Sequence, residues 1–187
     1  MTEADGEEFK IVFTGPMGAG KTTAIAALSE VEPVRTEVEN SDRVAHAKAS
    51  TTVGFDFGRI TLSDGSVVRL YGTPGQPRYR FMWDILGRGA AGVIVLIDAS
   101  APGALVQLDL FVDAFMPHVV QGALVVGVGR TDSPGSPGTD AFAARLDARG
   151  IVAPVLSVDV RRQADVMMLV RTLVCILASH ALHGAVA

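Results

Sequence analysis

An α/β fold is what the sequence predicts: a six-stranded, mostly parallel sheet carrying five helices on both of its faces. Three observations lead there. Short apolar runs alternate with stretches of helical spacing along nearly the whole chain. An Asp64-Gly65 pair inside Ser63–Ser66 marks one tight hairpin, so the second and third strands are expected to be antiparallel neighbours. The later runs AAGVIVLID (Ala90–Asp98) and GALVVGVG (Gly122–Gly129) are unbroken and apolar, the pattern of strands buried on both faces of a parallel sheet.

The elements follow in order. Residues 1–8 are acidic and polar and read as a disordered tail. The domain is expected over 9–182, and 183–187 read as a C-terminal tail. FKIVFTG is a short strand closing on a glycine-rich turn, and KTTAIAALSE continues as a helix. Val31–Ser50 is polar without periodicity and reads as a loop. TVGFDFGRITL and VVRLY are the hairpin strands. Pro102 and Gly103 precede a helix to about Met116. SPGSPG, after Asp132, reads as loop. A helix near Asp140–Arg149, a strand at VAPVLSV and a long apolar helix close the chain.

Bulk composition narrows the function classes. With 187 residues, 49% hydrophobic and 19% charged, the chain suits one domain with a sizeable core. A net charge of −4 argues against nucleic acid or an anionic membrane as the main partner. The single cysteine, Cys175, sits in an apolar run and reads as a small buried hydrophobe in a reducing compartment. The start lacks signal-peptide character, and no apolar run is expected to cross a bilayer, so a cytoplasmic protein is expected. Histidines 46, 118, 180 and 183 have no metal-ligand spacing and receive no function.

The most specific stretch is GPMGAGKT, Gly15 to Thr22, between a strand and a helix. Such a turn wraps a phosphate in successive backbone N–H groups and adds the positive end of the following helix. The candidate phosphate-binding residues are Gly15, Met17, Gly18, Ala19, Gly20, Lys21, Thr22 and Thr23. Lys21 brings a charge to the terminal phosphates, and the Thr22 hydroxyl suits Mg²⁺. Met17 occupies the position nearest the last phosphate, where its thioether should crowd the transition state and slow hydrolysis.

Four further segments carry a resemblance. TTVGFDFG resembles the first switch of small Ras-like GTPases, and GTPGQ their second switch. GRTD (Gly129–Asp132) stands where the base-reading N-K-x-D belongs, and DVR (Asp159–Arg161) where the S-A-K loop does. The combination, YGTPGQPRYRFMWD above all, is similar to bacterial Ras-like GTPases of the actinobacterial conservon type, related to MglA. The likeness spans about Phe9 to Leu182. It implies a P-loop small G domain that binds GTP or GDP with Mg²⁺. It places Thr52 on Mg²⁺, with Thr51 as the one-residue slip, Gly75 on the γ-phosphate and Gln76 on the attacking water. Guanine would meet Gly129, Arg130, Asp132, Asp159, Val160 and Arg161. A protein regulator or effector at the switch loops (about Thr36–Thr52 and Thr73–Met82) is implied, with a Roadblock-fold partner for MglA-type switches.

Departures from the pattern set the questions. Gly72 stands where the second switch carries an aspartate, and losing such a partner of the metal's water costs about 10–100-fold in metal affinity or activity. Asp56 and Asp98 are the candidate replacements, with turn capping the plainer role for Asp98. Arg43, Arg78 and Arg80 are candidate arginine fingers in cis, against ordinary solvation. The polar stripe of the last helix, Asp165, Thr172 and Ser179 with Arg171 beside it, is narrow, which fits burial or a partner contact. Two rival functions remain open: a nucleotide-holding scaffold with little hydrolysis, and a P-loop kinase of a small molecule.

Overall fold

The computed structural model describes residues 7–31, 34–38, 53–119 and 123–184. Strands β1 (Glu8–Thr14), β2 (Val34–Val38), β3 (Val53–Thr61), β4 (Val67–Gly72), β5 (Gly92–Asp98), β6 (Leu124–Gly129) and β7 (Val155–Ser157) form one sheet in the order β2-β3-β4-β1-β5-β6-β7. Helices α1 (Lys21–Leu28), α2 (Arg80–Gly87), α3 (Ala104–Phe115), α4 (Thr139–Asp147) and α5 (Gln163–Gly184) connect and flank it. This is a Ras-like P-loop fold, with the expected antiparallel hairpin at β3–β4 and parallel pairing from β4 through β7.

Residues dictate these elements directly. Along β1, Ile11 and Phe13 face one way and Val12 the other, as strand periodicity requires. Ile11 and Phe13 pack with Ile25, Leu70, Leu96, Leu169 and Leu173, the layer under α1 and α5. Val12 packs with Trp83, Val93, Phe111, Phe115 and Phe142, the layer under α2, α3 and α4. β5 is buried from Gly92 through Ile97 and reaches partial exposure only at Asp98. That run places the C-terminal ends of β1, β5 and β6 along one edge of the molecule, where open α/β sheets hold their ligands.

The structure differs from the sequence reading at several places. A seventh strand, β2, lies in the segment read as loop and pairs antiparallel with β3, Val34 opposite Phe57 and Val38 opposite Val53. Its residues alternate as V-R-T-E-V, a weak signal that gains meaning only beside a partner strand. Cys175 is exposed, not buried. And α5, over Gln163–Leu182, has the length and apolar composition of a membrane-crossing helix, unlike the expectation that no such run exists. Val166, Leu169, Val170 and Leu173 are its buried side.

The outward side of α5 carries Ala164, Met168, Arg171, Cys175, Ala178 and Leu182. Thr172 lies half-buried and turns its hydroxyl back to the Met168 carbonyl at 2.8 Å, while Ser179 bonds the Ile176 carbonyl at 2.8 Å. Polar side chains satisfied within the helix do not need to face water. Of the predicted tails 1–8 and 183–187, Glu8 opens β1 and the backbone of 183–184 ends α5. Residues 1–6 and 185–187, Arg43, Thr51, Thr52 and most of the first predicted switch loop lie outside the described residues.

Candidate functional site

The turn between β1 and α1 is shaped by what its glycines permit. Gly15 has φ of 138°, and a Cβ there would lie 2.0 Å from the Leu96 carbonyl oxygen, so no side chain fits. Gly20 has φ of 90°, and a Cβ would strike Val160 Cγ2 at 2.6 Å. The second contact matters further, since it seats the loop after β7 directly on the turn. α1 begins after Gly20 with no side-chain cap, leaving its first amides open. Uncapped amides at a helix start, beside a glycine-rich turn, suit an anion.

Lys21 is buried beneath this cradle. Its Nζ donates to the carbonyls of Gly15 at 2.7 Å and Pro16 at 2.8 Å. Loss of water pulls its pKa down from 10.5 to about 8, with the charge of Asp56 pulling the other way. Among the described residues this desolvated ammonium is held by neutral carbonyls with no carboxylate in ion-pair contact, and a polyphosphate would supply that partner.

The acid absent at position 72 is met from the neighbouring strand. Asp56 on β3 is the direct partner of Gly72 on β4. Thr22 donates its hydroxyl to Asp56 Oδ2 at 2.6 Å. A Cβ on Gly72 would fall 3.0 Å from both Asp56 Cβ and Oδ2 and 2.9 Å from Ile25 Cδ1. The Asp56 carboxylate lies beside the place where a side chain at position 72 would stand, and the glycine leaves it room. Asp56 and Thr22 offer hard oxygens, the donor chemistry that Mg²⁺ takes together with phosphate oxygens and water. No cluster of three or more His, Cys, Asp or Glu that could cage a metal occurs among the described residues.

Asp98, the other candidate, does something else. Its Oδ1 accepts from the Ser100 N–H at 2.9 Å and the Ser100 hydroxyl at 2.6 Å, the expected turn cap, and its Oδ2 pairs with Arg130. Arg130 has a φ of 55°, alone among the described non-glycine residues in the left-handed region. Thr131 and Ser157 hydroxyls meet at 2.9 Å, tying the loop after β6 to the end of β7. Sequence reasoning missed this tie, which holds the loop where Gly129 has no side chain to do so. Asp159 is engaged by the Arg161 backbone N–H and guanidinium, which hold its carboxyl down to about 2. Asp132 stands exposed among the lining of the same cleft.

Two clefts result. One, about 590 Å³, is lined by Asp98, Gly129, Arg130, Asp132, Asp159, Val160 and Arg161. The other, about 690 Å³, is lined by Met17, Lys21, Thr22, Asp56, Thr73 and Gly75. Both include Gly18, Gly20 and Thr23, so they meet across the glycine-rich turn. Ala19 lines the first cleft only, and Gly15 lines neither, lying buried beneath as the acceptor for Lys21.

The second predicted switch is pressed onto the cradle. A Cβ at Gly75 would lie 2.4 Å from Met17 N. Gln76 Nε2 reaches Met17 Sδ at 3.4 Å, and Met17 itself is largely exposed. Arg78 stacks on the Tyr79 ring at 4.8 Å and, like Arg80, is exposed. The aromatic cluster divides: Met82 and Trp83 turn inward, while Phe81 and Ile85 face outward.

No family model matches the chain. Curated proteins resemble it, three of them as follows. The Ras-related protein RABA1b of Arabidopsis thaliana is 27% identical over 124 residues, 65% of this chain and 52% of that protein. A Methanocaldococcus jannaschii protein of unassigned role is 30% identical over 94 residues, 50% of this chain and 53% of its own length. The ADP-ribosylation factor-like protein 8b of Arabidopsis thaliana is 27% identical over 148 residues, 78% of this chain and 73% of that protein. The chain thus spans about half the length of the first two. Sheet order, glycine-rich turn and these likenesses together support a Ras-like G domain.

Proposed function

We propose that the protein is a guanine-nucleotide switch, binding GTP and GDP with Mg²⁺ and hydrolysing GTP slowly under the control of protein partners. One observation carries the reading: the two clefts join across Gly18, Gly20 and Thr23, with a buried lysine at one end and an exposed carboxylate at the other. A nucleoside polyphosphate is the ligand class with that length and that division of charge. Asp132 would accept the paired N–H groups of guanine, which adenine cannot offer. The Asp98–Arg130 pair would set the guanidinium beside the base.

Lys21 and the cradle amides would hold the phosphates and stabilise charge as it develops. Thr22 and Asp56 would hold Mg²⁺, joined by Thr52 if the family register holds; the ion, when bound, neutralises phosphate charge. Gln76 would orient the attacking water, but its bond to the Met17 thioether draws its amide toward the cradle wall. That contact favours slow turnover and gives weight to a second reading, a nucleotide-holding scaffold. A bacterial signalling role, cytoplasmic location and a Roadblock-fold partner belong to the same proposal through the resemblance.

Chromatography of nucleotide released from the purified protein, followed by phosphate release under multiple turnover, tests it. Guanine nucleotide and slow release are expected. Guanine nucleotide without turnover would favour the scaffold. Failure of the refolded or stripped protein to take up GTP, GDP or a triphosphate analogue with Mg²⁺ would refute the proposal.

A further inference from the structure

A peptide unit is planar and trans, so its C=O and N–H point to opposite sides of the chain. The unit joining Pro74 to Gly75 is gripped on one side. Trp83 Nε1 donates to the Pro74 carbonyl at 2.6 Å. Trp83 is fully buried, with the Phe111 ring at 4.6 Å and the Phe115 ring at 6.3 Å, so the α3 core fixes the donor. The residue before is pinned too: the Thr73 N–H bonds the Phe13 carbonyl at 2.9 Å, and its hydroxyl meets that of Thr14 at 2.9 Å.

On the other side Gly75 lies against the cradle, where a Cβ would come 2.4 Å from Met17 N and 2.6 Å from the Pro16 carbonyl carbon. Among the described residues, the Gly75 N–H meets no protein acceptor. Gly75 lines the cleft of Lys21 and Thr22 and not the cleft of Asp132.

We infer that Trp83 is a positioning residue for recognition of the terminal phosphate: by holding the Pro74 carbonyl it aims the Gly75 N–H, at the opposite edge of the same peptide, into the phosphate end of the site. The inference rests on the guanine-nucleotide reading and adds to it a source of preference for triphosphate over diphosphate. A carbonyl that accepts a hydrogen bond polarises its peptide and makes the attached N–H a better donor. Holding the turn in place beforehand also removes the ordering cost that a loose loop would meet on binding. A diphosphate leaves the far end of the cleft empty, so the effect falls on the triphosphate.

Trp83→Phe keeps a ring against Phe111 and removes only the donor. Calorimetric titration with Mg²⁺ and guanosine 5′-(β,γ-imido)triphosphate is expected to show roughly tenfold weaker binding, with GDP affinity within about twofold of wild type. Equal losses for both nucleotides, or none for either, would overturn the inference. Trp83 is also the one tryptophan of the chain, so its emission reports this contact in the unmodified protein. Because the contact is held beforehand, the emission should be that of a buried, hydrogen-bonded indole both without nucleotide and with the triphosphate analogue. A shift on adding the analogue would mean that the contact is broken or remade on binding and would overturn the inference, and this arm decides should the variant not fold. Wild-type protein that takes up neither nucleotide refutes the guanine reading and the inference with it. Wild-type binding with an unchanged ratio in the variant refutes the inference alone.

Discussion

At the scale of single residues, the pairing of Asp56 with Gly72 bears on the missing acid of the predicted second switch. The Thr22–Asp56 bond and the tight space at Gly72 make the two positions one device. Asp56→Ala should weaken Mg²⁺-dependent nucleotide binding about 10–100-fold. Gly72→Asp should not improve on wild type. It forces two carboxylates together and should destabilise the fold by about 1–3 kcal/mol. Asp56→Gly combined with Gly72→Asp should recover much of both losses, and titration of Mg²⁺ with urea unfolding across the four proteins measures it.

Lys21 gives a pH signature with a definite sign. Its folded pKa is about 8 against 10.5 in the open chain. Between those values the unfolded chain binds the extra proton, so stability of the nucleotide-free and metal-free protein rises with pH across that window. Below pH 8 the buried charge is a standing cost. Lys21→Met removes it, so the variant should gain on wild type at pH 7, by a pH-dependent part on the order of 3 kcal/mol that fades above pH 10. Urea unfolding at both pH values checks this; a gap that does not change with pH would contradict it.

Among elements, what the sequence made legible depended on whether the signal was local. The unbroken run of β5, the Asp64-Gly65 turn and GPMGAGKT each declare themselves within a few residues. β2 did not, because V-R-T-E-V becomes a strand only through its ladder to β3. Asp56 was recognisable as a candidate, but its selection over Asp98 needed the Asp56–Gly72 register. The Trp83 contact was out of reach, since its acceptor is a backbone carbonyl that no side-chain pattern encodes.

The outward side of α5 shows the same limit. Polar residues satisfied by their own helix hid which face met water, and Cys175 was placed inside. Because it is exposed, native protein should react with a thiol reagent at one equivalent, as fast as the unfolded chain within about tenfold. A thiol that reacts only after denaturation would put it back in the core.

Elsewhere an ion network joins two elements: Asp109 of α3 receives Arg145 and Arg149 from α4 and the turn after it, and Arg149 also meets Asp113. The Arg145 hydrogen bond leads in holding the Asp109 carboxyl below its usual range. Its contribution is therefore present above the ordinary carboxylate pKa and lost as acid protonates it, and Asp109→Asn should cost about 1 kcal/mol at neutral pH, less in high salt.

For the whole molecule, the Val160 contact at Gly20 makes the loop after β7 part of the wall of the phosphate turn. The cleft around Asp132 and the cleft around Lys21 are then built on one sheet edge and share the same buried layer, with Val158 and Ile25 both in the core under α1 and α5. A ligand spanning both should stabilise the fold as a unit, not one lobe of it. At a nucleotide concentration 100 times its dissociation constant, linkage gives about 2.7 kcal/mol. For a chain of this length each kcal/mol moves the midpoint by about 2–4 °C, so GDP with Mg²⁺ should raise it by roughly 5–10 °C in one cooperative transition. ATP at the same concentration should do far less, because Asp132 has no matching donors on adenine. Calorimetric scans with GDP, ATP and neither make the comparison. Equal shifts from both would mean that only the phosphate turn engages the ligand and that the cleft around Asp132 and Arg130 does not read the base.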